Sequence, residues 1–310
     1  MEKERVPGVS IFEGADSAHA KSEDFGAAES LAVRDGARES IPLFLSVVIT
    51  TYNRAAIVPR AVRSALDELK RVSSYEVIVV DDASTDNTIE VIQEIFSDEI
   101  FSGRVKLLRN ATNRGVTGSK NEGYLAAGGS WVIFLDSDDT LLQGVGEAMV
   151  STLDIHSERS LVFFRCVDQI GNFVGTRFEK ERLLDLETYL KHTSFGEALT
   201  AVNKNIVKRE PYIASLRGYE GLGCCRIIEC HGAAVLSTVV ARCYDLGVGD
   251  RLSVSASLFR RMPLLARGHL MLVHEFGERM RWGKVLGYLM KALVYGVAGG
   301  VYRCVERVSK

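Results

Sequence analysis

Four short runs of apolar, largely β-branched residues punctuate the first half of the chain: LFLSVVIT (43 to 50), YEVIVVD (75 to 81), RVKLLR (104 to 109) and SWVIFLD (130 to 136). Their length and near-continuous apolarity are those of strands buried on both faces of a parallel sheet. Between them lie segments with helical spacing: Ala55 to Val72, Asn87 to Phe96 with Asp86 placed as its N-cap, and Gly118 to Ala127. This alternation predicts an α/β fold with a doubly wound, mostly parallel sheet, whose ligands lie beyond the carboxyl ends of the strands. Residues 1 to 42 are rich in Ala, Gly, Ser and Glu without sustained periodicity, which predicts a disordered tail. Residues 43 to 145 form the strand–helix half, 146 to 255 a less regular second half, and 256 to 310 a helical C-terminal extension. No internal repeat is present.

Charge sharpens this division. The 310-residue chain is nearly balanced at −2, which argues against a dedicated nucleic-acid binder. Yet residues 1 to 42 hold nine Asp/Glu against five Lys/Arg, and residues 260 to 310 hold ten Lys/Arg against three Glu. A basic end on a neutral protein suits an anionic surface as neighbour. Six Cys, three of them crowded at Cys224, Cys225 and Cys230, follow neither a disulfide framework nor paired zinc spacing, and read as reduced thiols. The N-terminus lacks the apolar core of a signal peptide, so a cytoplasmic location is expected.

Three polar clusters open onto the predicted carboxyl edge of the sheet: TTYNR (Thr50 to Arg54), DDASTD (Asp81 to Asp86) and DSDD (Asp136 to Asp139). The first loop has no GxGxxG, which excludes a dinucleotide site of the usual kind. A Tyr beside the first strand offers a ring for stacking on a base, and a carboxylate after the second can accept from a pyrimidine N–H. Taken alone, DDASTD also reads as a helix-capping turn. The third cluster, within VIFLDSDDTLL, fits two chemistries. A phosphatase of the haloacid dehalogenase type would use Asp136 as nucleophile and Asp138 as acid/base. A sugar-nucleotide transferase would use the carboxylates to hold a divalent cation against a diphosphate. The phosphatase needs its motif on the first core strand and further acidic ligands downstream. Here three strands precede it, and only Asp250 in GVGDRLS follows.

The stretches LSVVITTYNRAAIVPRAVRSAL, YEVIVVDDASTDNT and NRGVTGSKNEGYLAAGGSWVIFLDSDD resemble, in order and spacing, the nucleotide-binding half of a family 2 glycosyltransferase of the GT-A fold, over roughly residues 43 to 145. The resemblance implies inverting transfer from a nucleotide-diphosphate sugar, usually UDP-linked, with Mg²⁺ or Mn²⁺. It implies that Thr50 and Tyr52 line the uracil pocket, that Asp82 binds the base, and that Asp136 and Asp138 form the metal-binding motif. Lys120 stands where the family more often has Arg, keeping a cation for the diphosphate without bidentate geometry. An acidic base is expected before a helix of the second half. Glu220, in LRGYEGLGCCR, occupies that place, although the Asp that commonly follows is Gly221; Glu197, in FGEAL, is the reserve. The QxxRW signature of processive relatives is absent, which favours transfer of one sugar.

The C-terminal helix bears on the acceptor. At about 100° per residue, Trp282, Leu286, Leu289, Met290, Leu293, Val297 and Val301 gather on one face, and Lys284, Tyr288, Lys291, Tyr295 and Tyr302 on the other. Lys291 interrupts any charge-free run of the roughly 18 to 20 residues expected of a spanning helix. The pattern fits a helix lying in a membrane interface, or one packed on its own catalytic domain. The first suits an enzyme at the inner face of the cytoplasmic membrane acting on a lipid-linked saccharide in surface polysaccharide synthesis. A nucleotidyltransferase would open with a Gly-rich loop after its first strand, unlike TTYNR. A non-catalytic sugar-nucleotide-binding protein remains open.

Overall fold

A computed structural model describes residues 44–72, 74–175, 178–191, 197–244 and 255–308. The predicted tail at 1 to 42 and Asp250 lie outside the described residues. The first half runs β1 (Phe44–Thr51), α1 (Val58–Leu69), β2 (Ser74–Asp81), α2 (Thr88–Ile95), α3 (Ser97–Phe101), β3 (Val105–Arg109), α4 (Gly115–Ala126) and β4 (Trp131–Asp136). The second continues with β5 (Thr140–Leu141), α5 (Gly146–Ile155), β6 (Leu161–Asp168), β7 (Arg182–Leu184), α6 (Leu186–Lys191), β8 (Ala198–Asn203), α7 (Glu220–His231) and β9 (Ala234–Tyr244). Two long helices close the chain: α8 (Ser255–Phe276) and α9 (Trp282–Val308).

The sheet order is β3-β2-β1-β4-β8-β6-β9-β5, with β7 paired to β9. β1 to β4 are mutually parallel, whereas β8 runs antiparallel to both β4 and β6, so the sheet is mixed. β1 shows how sequence chooses faces. Leu45, Val47 and Ile49 join a core under α1 and α5, while Val48 points to the opposite core under α4 and α7. Trp131, Ile133 and Leu135 of β4 alternate with Val132 and Phe134 in the same way. Both faces being covered is why these strands read as unbroken apolar runs. Helix α4 sits close against the sheet because Gly123 has no side chain: a Cβ there would lie 2.3 Å from Val48 Cγ1.

α8 and α9 form an antiparallel pair joined through Gly277–Arg279. The pair is tied to the body. Arg226 of α7 donates Nε and Nη2 to Glu275 at 2.8 and 2.6 Å, and Arg279 meets Glu229 at 2.9 Å. Tyr219 Oη lies 2.7 Å from His269 Nδ1, and the His269 ring in turn rests against Tyr288 and Tyr295, with centroids 5.4 and 5.7 Å away. Trp282–Tyr302 is long and apolar enough, by length and composition, to cross a membrane. The helix does pack on its own domain, but through its tyrosine side. The stripe from Trp282 to Val301 faces outward, every one of its seven residues being exposed.

Burial holds the His269 imidazole at a pKa of about 4, with Lys291 adding to the effect. A depressed folded-state value means the unfolded chain binds the extra proton first. The stability His269 contributes is therefore complete above about pH 6.5 and is lost as pH falls toward about 4. The melting temperature is expected to drop by several degrees across that window. A His269→Gln variant, measured by the same thermal melts, should show a flatter pH profile there.

Candidate functional site

Strand register alone brings the three polar clusters together. Thr50 of β1 lies between Val80 of β2 and Asp136 of β4, and Thr51 lies beside Asp81. Side chains then knit the loops. Asn53, at φ 52°, accepts from the Thr85 amide at 2.7 Å through Oδ1, and its own amide donates to Ser84 Oγ at 2.8 Å. A left-handed backbone is tolerated by Asn, whose short polar side chain bonds locally. The Asp86 carboxylate accepts the Thr88 amide at 3.1 Å, but the N-cap of α2 is Asn87, one residue later than predicted.

Asp82 is held by donors of the protein itself. It is buried, and its Oδ1 accepts from the Arg114 amide at 2.7 Å and from Asn110 Nδ2 at 2.9 Å. Its Oδ2 accepts from the Gly115 amide at 2.7 Å. It therefore caps α4, whose first amides have no intrahelical partner and whose dipole favours an anion. This explains why α4 starts at Gly115, three residues before its predicted start. Gly115 itself has φ +78°, and a Cβ there would fall 2.1 Å from Arg217 Nε. Replacing Asp82 by Ala strands these donors, so a loss of roughly 2–4 kcal/mol is expected in denaturant unfolding.

Helix α4 carries the connection between the two halves. Asn121 Nδ2 donates to the Tyr212 carbonyl at 2.8 Å, and the Tyr212 amide donates back to Asn121 Oδ1 at 3.2 Å. Next to Asn121 in the same helix, the buried Lys120 ammonium lies 3.0 Å from Asp136 Oδ1 and 3.2 Å from Glu220 Oε1. Glu220 is the first residue of α7, where a carboxylate also suits the helix dipole. Burial works against the charged Lys120, but Asp136 and Glu220 outweigh it and raise its pKa further. Burial likewise favours a neutral Asp136; the Lys120 and Arg242 cations prevail and hold it below the ordinary carboxylate value.

Arg242 of β9 is the residue that sequence reasoning missed. Its buried guanidinium reaches Asp139 at 3.1 Å, Asp136 at 3.5 Å, Glu197 at 3.5 Å and Cys166 Sγ at 3.1 Å. Asp138 pairs with Arg54 at 2.9 Å, and Arg60 donates to the Asp138 carbonyl at 2.6 Å. The acidic motif is thus braced by cations from three elements. Thr50 is buried at the edge and Tyr52 is exposed beside it. Both candidate bases border Asp136, Glu220 through Lys120 and Glu197 through Arg242. Glu220 is the more enclosed, its side chain 28% exposed against 54% for Glu197.

Residues 46–213, more than half of the chain, match the family model for glycosyl transferase family 2. The chain belongs to that family. The GalNAc(5)-diNAcBac-PP-undecaprenol beta-1,3-glucosyltransferase of Campylobacter jejuni is 30% identical to this family 2 chain over 184 residues, 57% of each. A PGL/p-HBAD biosynthesis glycosyltransferase of Mycobacterium tuberculosis is 33% identical over 147 residues, covering 46% of this chain and 54% of that one. The chain thus spans little more than half the length of these curated relatives. Among solved structures, S. aureus TarS 1-349 in complex with UDP-GlcNAc superposes with a TM-score of 0.59 at 16% identity, covering 82% of this chain and 72% of that one. Mannosyltransferase PcManGT from Pyrobaculum calidifontis, in complex with GDP-Man and Mn²⁺, gives 0.58 at 15%, over 87% and 77%. These likenesses establish the GT-A fold. The phosphatase alternative with Asp136 as nucleophile is set aside by the family.

Proposed function

We propose that this family 2 protein is an inverting glycosyltransferase, moving one sugar from a UDP-sugar to a hydroxyl of a lipid-linked saccharide during surface polysaccharide synthesis at the inner face of the cytoplasmic membrane. The observation that carries it is the Lys120 ammonium shared by Asp136 of the first half and Glu220 of the second. It sets a carboxylate able to take a proton beside the acidic motif at the sheet edge. The UDP-GlcNAc bound in the TarS neighbour supports the donor class, and the undecaprenol-linked name of the Campylobacter relative supports the acceptor class.

In this reading Tyr52 stacks on the uracil, Thr50 borders it, and Asp82 fixes the pocket floor while its Oδ2 keeps one acceptor position for the base N–H. Asp136 and Asp138 suit Mg²⁺ or Mn²⁺: both are hard oxygen donors, and the Asp136 side chain is 35% exposed toward the edge. No three His, Cys, Asp or Glu side chains converge among the described residues, so phosphate oxygens and water would complete the shell. When bound, such a cation offsets the charge of the departing diphosphate. Lys120 stabilises the same charge from the protein side. Glu220 accepts the acceptor hydroxyl's proton as that oxygen attacks the anomeric carbon and UDP leaves from the opposite face.

Thermal shifts with nucleotide sugars, with and without Mn²⁺, test this. A donor at about a hundredfold its Kd stabilises the fold by roughly 2.7 kcal/mol. Asp138→Asn should remove the Mn²⁺-dependent part of the UDP-sugar shift while leaving the ligand-free melt near wild type. Equal shifts with GDP and UDP would count against the uracil pocket, and an unchanged Mn²⁺ dependence against the metal assignment.

A further inference from the structure

The outward face of α9 is the largest feature that the sugar-transfer site leaves unused. Trp282, Leu286, Leu289, Met290, Leu293, Val294, Val297 and Val301 are 40 to 77% exposed, and no charged residue stands among them on that face. The opposite face packs on α8. Tyr288 and Tyr295 lie on His269, Tyr302 stacks on Phe259 at 5.7 Å, and Ala292 is buried. Gly299 lets α8 approach so closely that a Cβ would meet Pro263 at 2.7 Å. A contiguous apolar strip of this size on a protein surface marks a contact with something else.

What covers it is indicated by the charge at its foot. Where α9 begins, a cleft of about 520 Å³ is lined by Lys191, Arg279, Arg281 and Lys284 against Glu187 and Glu278. Glu187 is paired with Lys191 at 2.5 Å, and Arg279 with Glu229. Arg281 enters no ion pair among the described residues, and it lowers the pKa of its neighbour Lys284, after burial does so. Trp282, 77% exposed, is the first residue of the strip and directly follows Arg281 of the cleft. Lys291 flanks the strip further along, exposed and over the Tyr288 ring at 5.7 Å. An apolar strip bordered by lysines, with an exposed Trp next to an under-neutralised cationic cleft, matches the layering of an anionic membrane surface: acyl chain, interface, phosphate.

We propose that α9 is a bilayer-docking element. It lies in the plane of an anionic leaflet, with the strip in the acyl boundary, Trp282 at the interface, and the Arg281–Lys284 cleft on lipid phosphates. It lies on the membrane and does not cross it, despite its length. Crossing would detach Tyr288, Ala292, Tyr295 and Gly299 from α8, and pull Lys284 from the Leu190 carbonyl to which it donates at 2.7 Å. A self-paired dimer would bury the strip equally well, but gives no role to the cationic cleft. The docking deepens the reading of a lipid-linked acceptor and rests on it only for the acceptor; it is measured with no sugar present.

The test is sedimentation with vesicles of phosphatidylglycerol and phosphatidylcholine, and of phosphatidylcholine alone, beside a melting curve and light scattering without lipid. Wild-type protein should pellet with the anionic vesicles and less with the neutral ones. Leu293→Ser with Val297→Ser should lower the bound fraction at least tenfold, with the melting temperature kept, because both positions are already exposed. Arg281→Glu with Lys291→Glu should remove the preference for anionic vesicles. UDP-sugar thermal shifts should be the same in all three proteins, so loss of docking and loss of donor binding are separable. A wild-type protein that never pellets overturns the proposal. So does a dimer that the Ser variant dissociates without any lipid binding, or a Ser variant whose fold is destabilised.

Discussion

Replacing Glu220 by Gln is expected to leave UDP-sugar binding intact and to slow transfer by roughly 10²–10⁴-fold, the range for loss of a general base. The amide keeps the size and can still face Lys120, which lies 3.2 Å from Glu220 Oε1, but it cannot take a proton. Helix α7 should hold, since a dipole contribution of about 0.3–1 kcal/mol at one partly enclosed terminus is small beside its buried Leu222, Ile227 and Ile228. The parallel Glu197→Gln variant should keep near-normal turnover. Single-turnover assays, with enzyme in excess over donor and the acceptor saturating, separate the two. If Glu197→Gln is the slow enzyme and Glu220→Gln is not, the base lies on the Arg242 side of Asp136.

Lys120→Met should weaken both fold and donor binding. Removing one partner of a buried ion pair costs about 3–5 kcal/mol when the survivor stays dry. Asp136 and Glu220 are only partly enclosed, at 35% and 28% exposed, and hydrate when the ammonium is gone, which reduces the expected cost to roughly 1–2 kcal/mol. The acid response also changes in a defined direction. With its folded-state pKa depressed, Asp136 contributes stability that is present above the unfolded carboxylate value of 3.8 and is lost as pH falls below it. In the Met variant that acid-sensitive part should shrink, seen as a shallower fall of melting temperature at low pH. Lys120→Arg, which keeps the charge, should retain more donor affinity than Lys120→Met.

The first half of the fold was legible because buried parallel strands write themselves as unbroken apolar runs, and β1 to β4 fall within two residues of their predicted ends. The second half was not, because its order in space departs from its order in sequence. β8 inserts between β4 and β6, and β9 follows β6 in parallel across a long connection. Arg242 shows the consequence. Nothing local in AVLSTVVARCY distinguishes an inward guanidinium from an outward one, and its partner Asp136 is 106 positions away. The capping contacts of Asp82 were not legible, since its partners Arg114 and Gly115 sit over thirty residues on, at the start of a helix predicted to begin later. On α9 the apolar stripe was visible, but a wheel of residues does not say which side meets α8. The tyrosines, Ala292 and Gly299 decided that by close packing.

The line Glu220–Tyr219–His269–α9 has a mechanical meaning. Tyr219 adjoins Glu220, hydrogen-bonds His269, and its ring covers Gly268 so tightly that a Cβ there would come within 2.8 Å of it. His269 is in turn braced by Tyr288 and Tyr295. Under the docking proposed for α9, these packed rings would form a strut of fixed height between the membrane plane and the carboxylate. For the lipid-linked acceptor proposed, the strut would then select by height as well as by shape. On that proposal a hydroxyl is reached when its sugar stands at that elevation above the anchor, so adding or removing one residue from the glycan should carry it past the site.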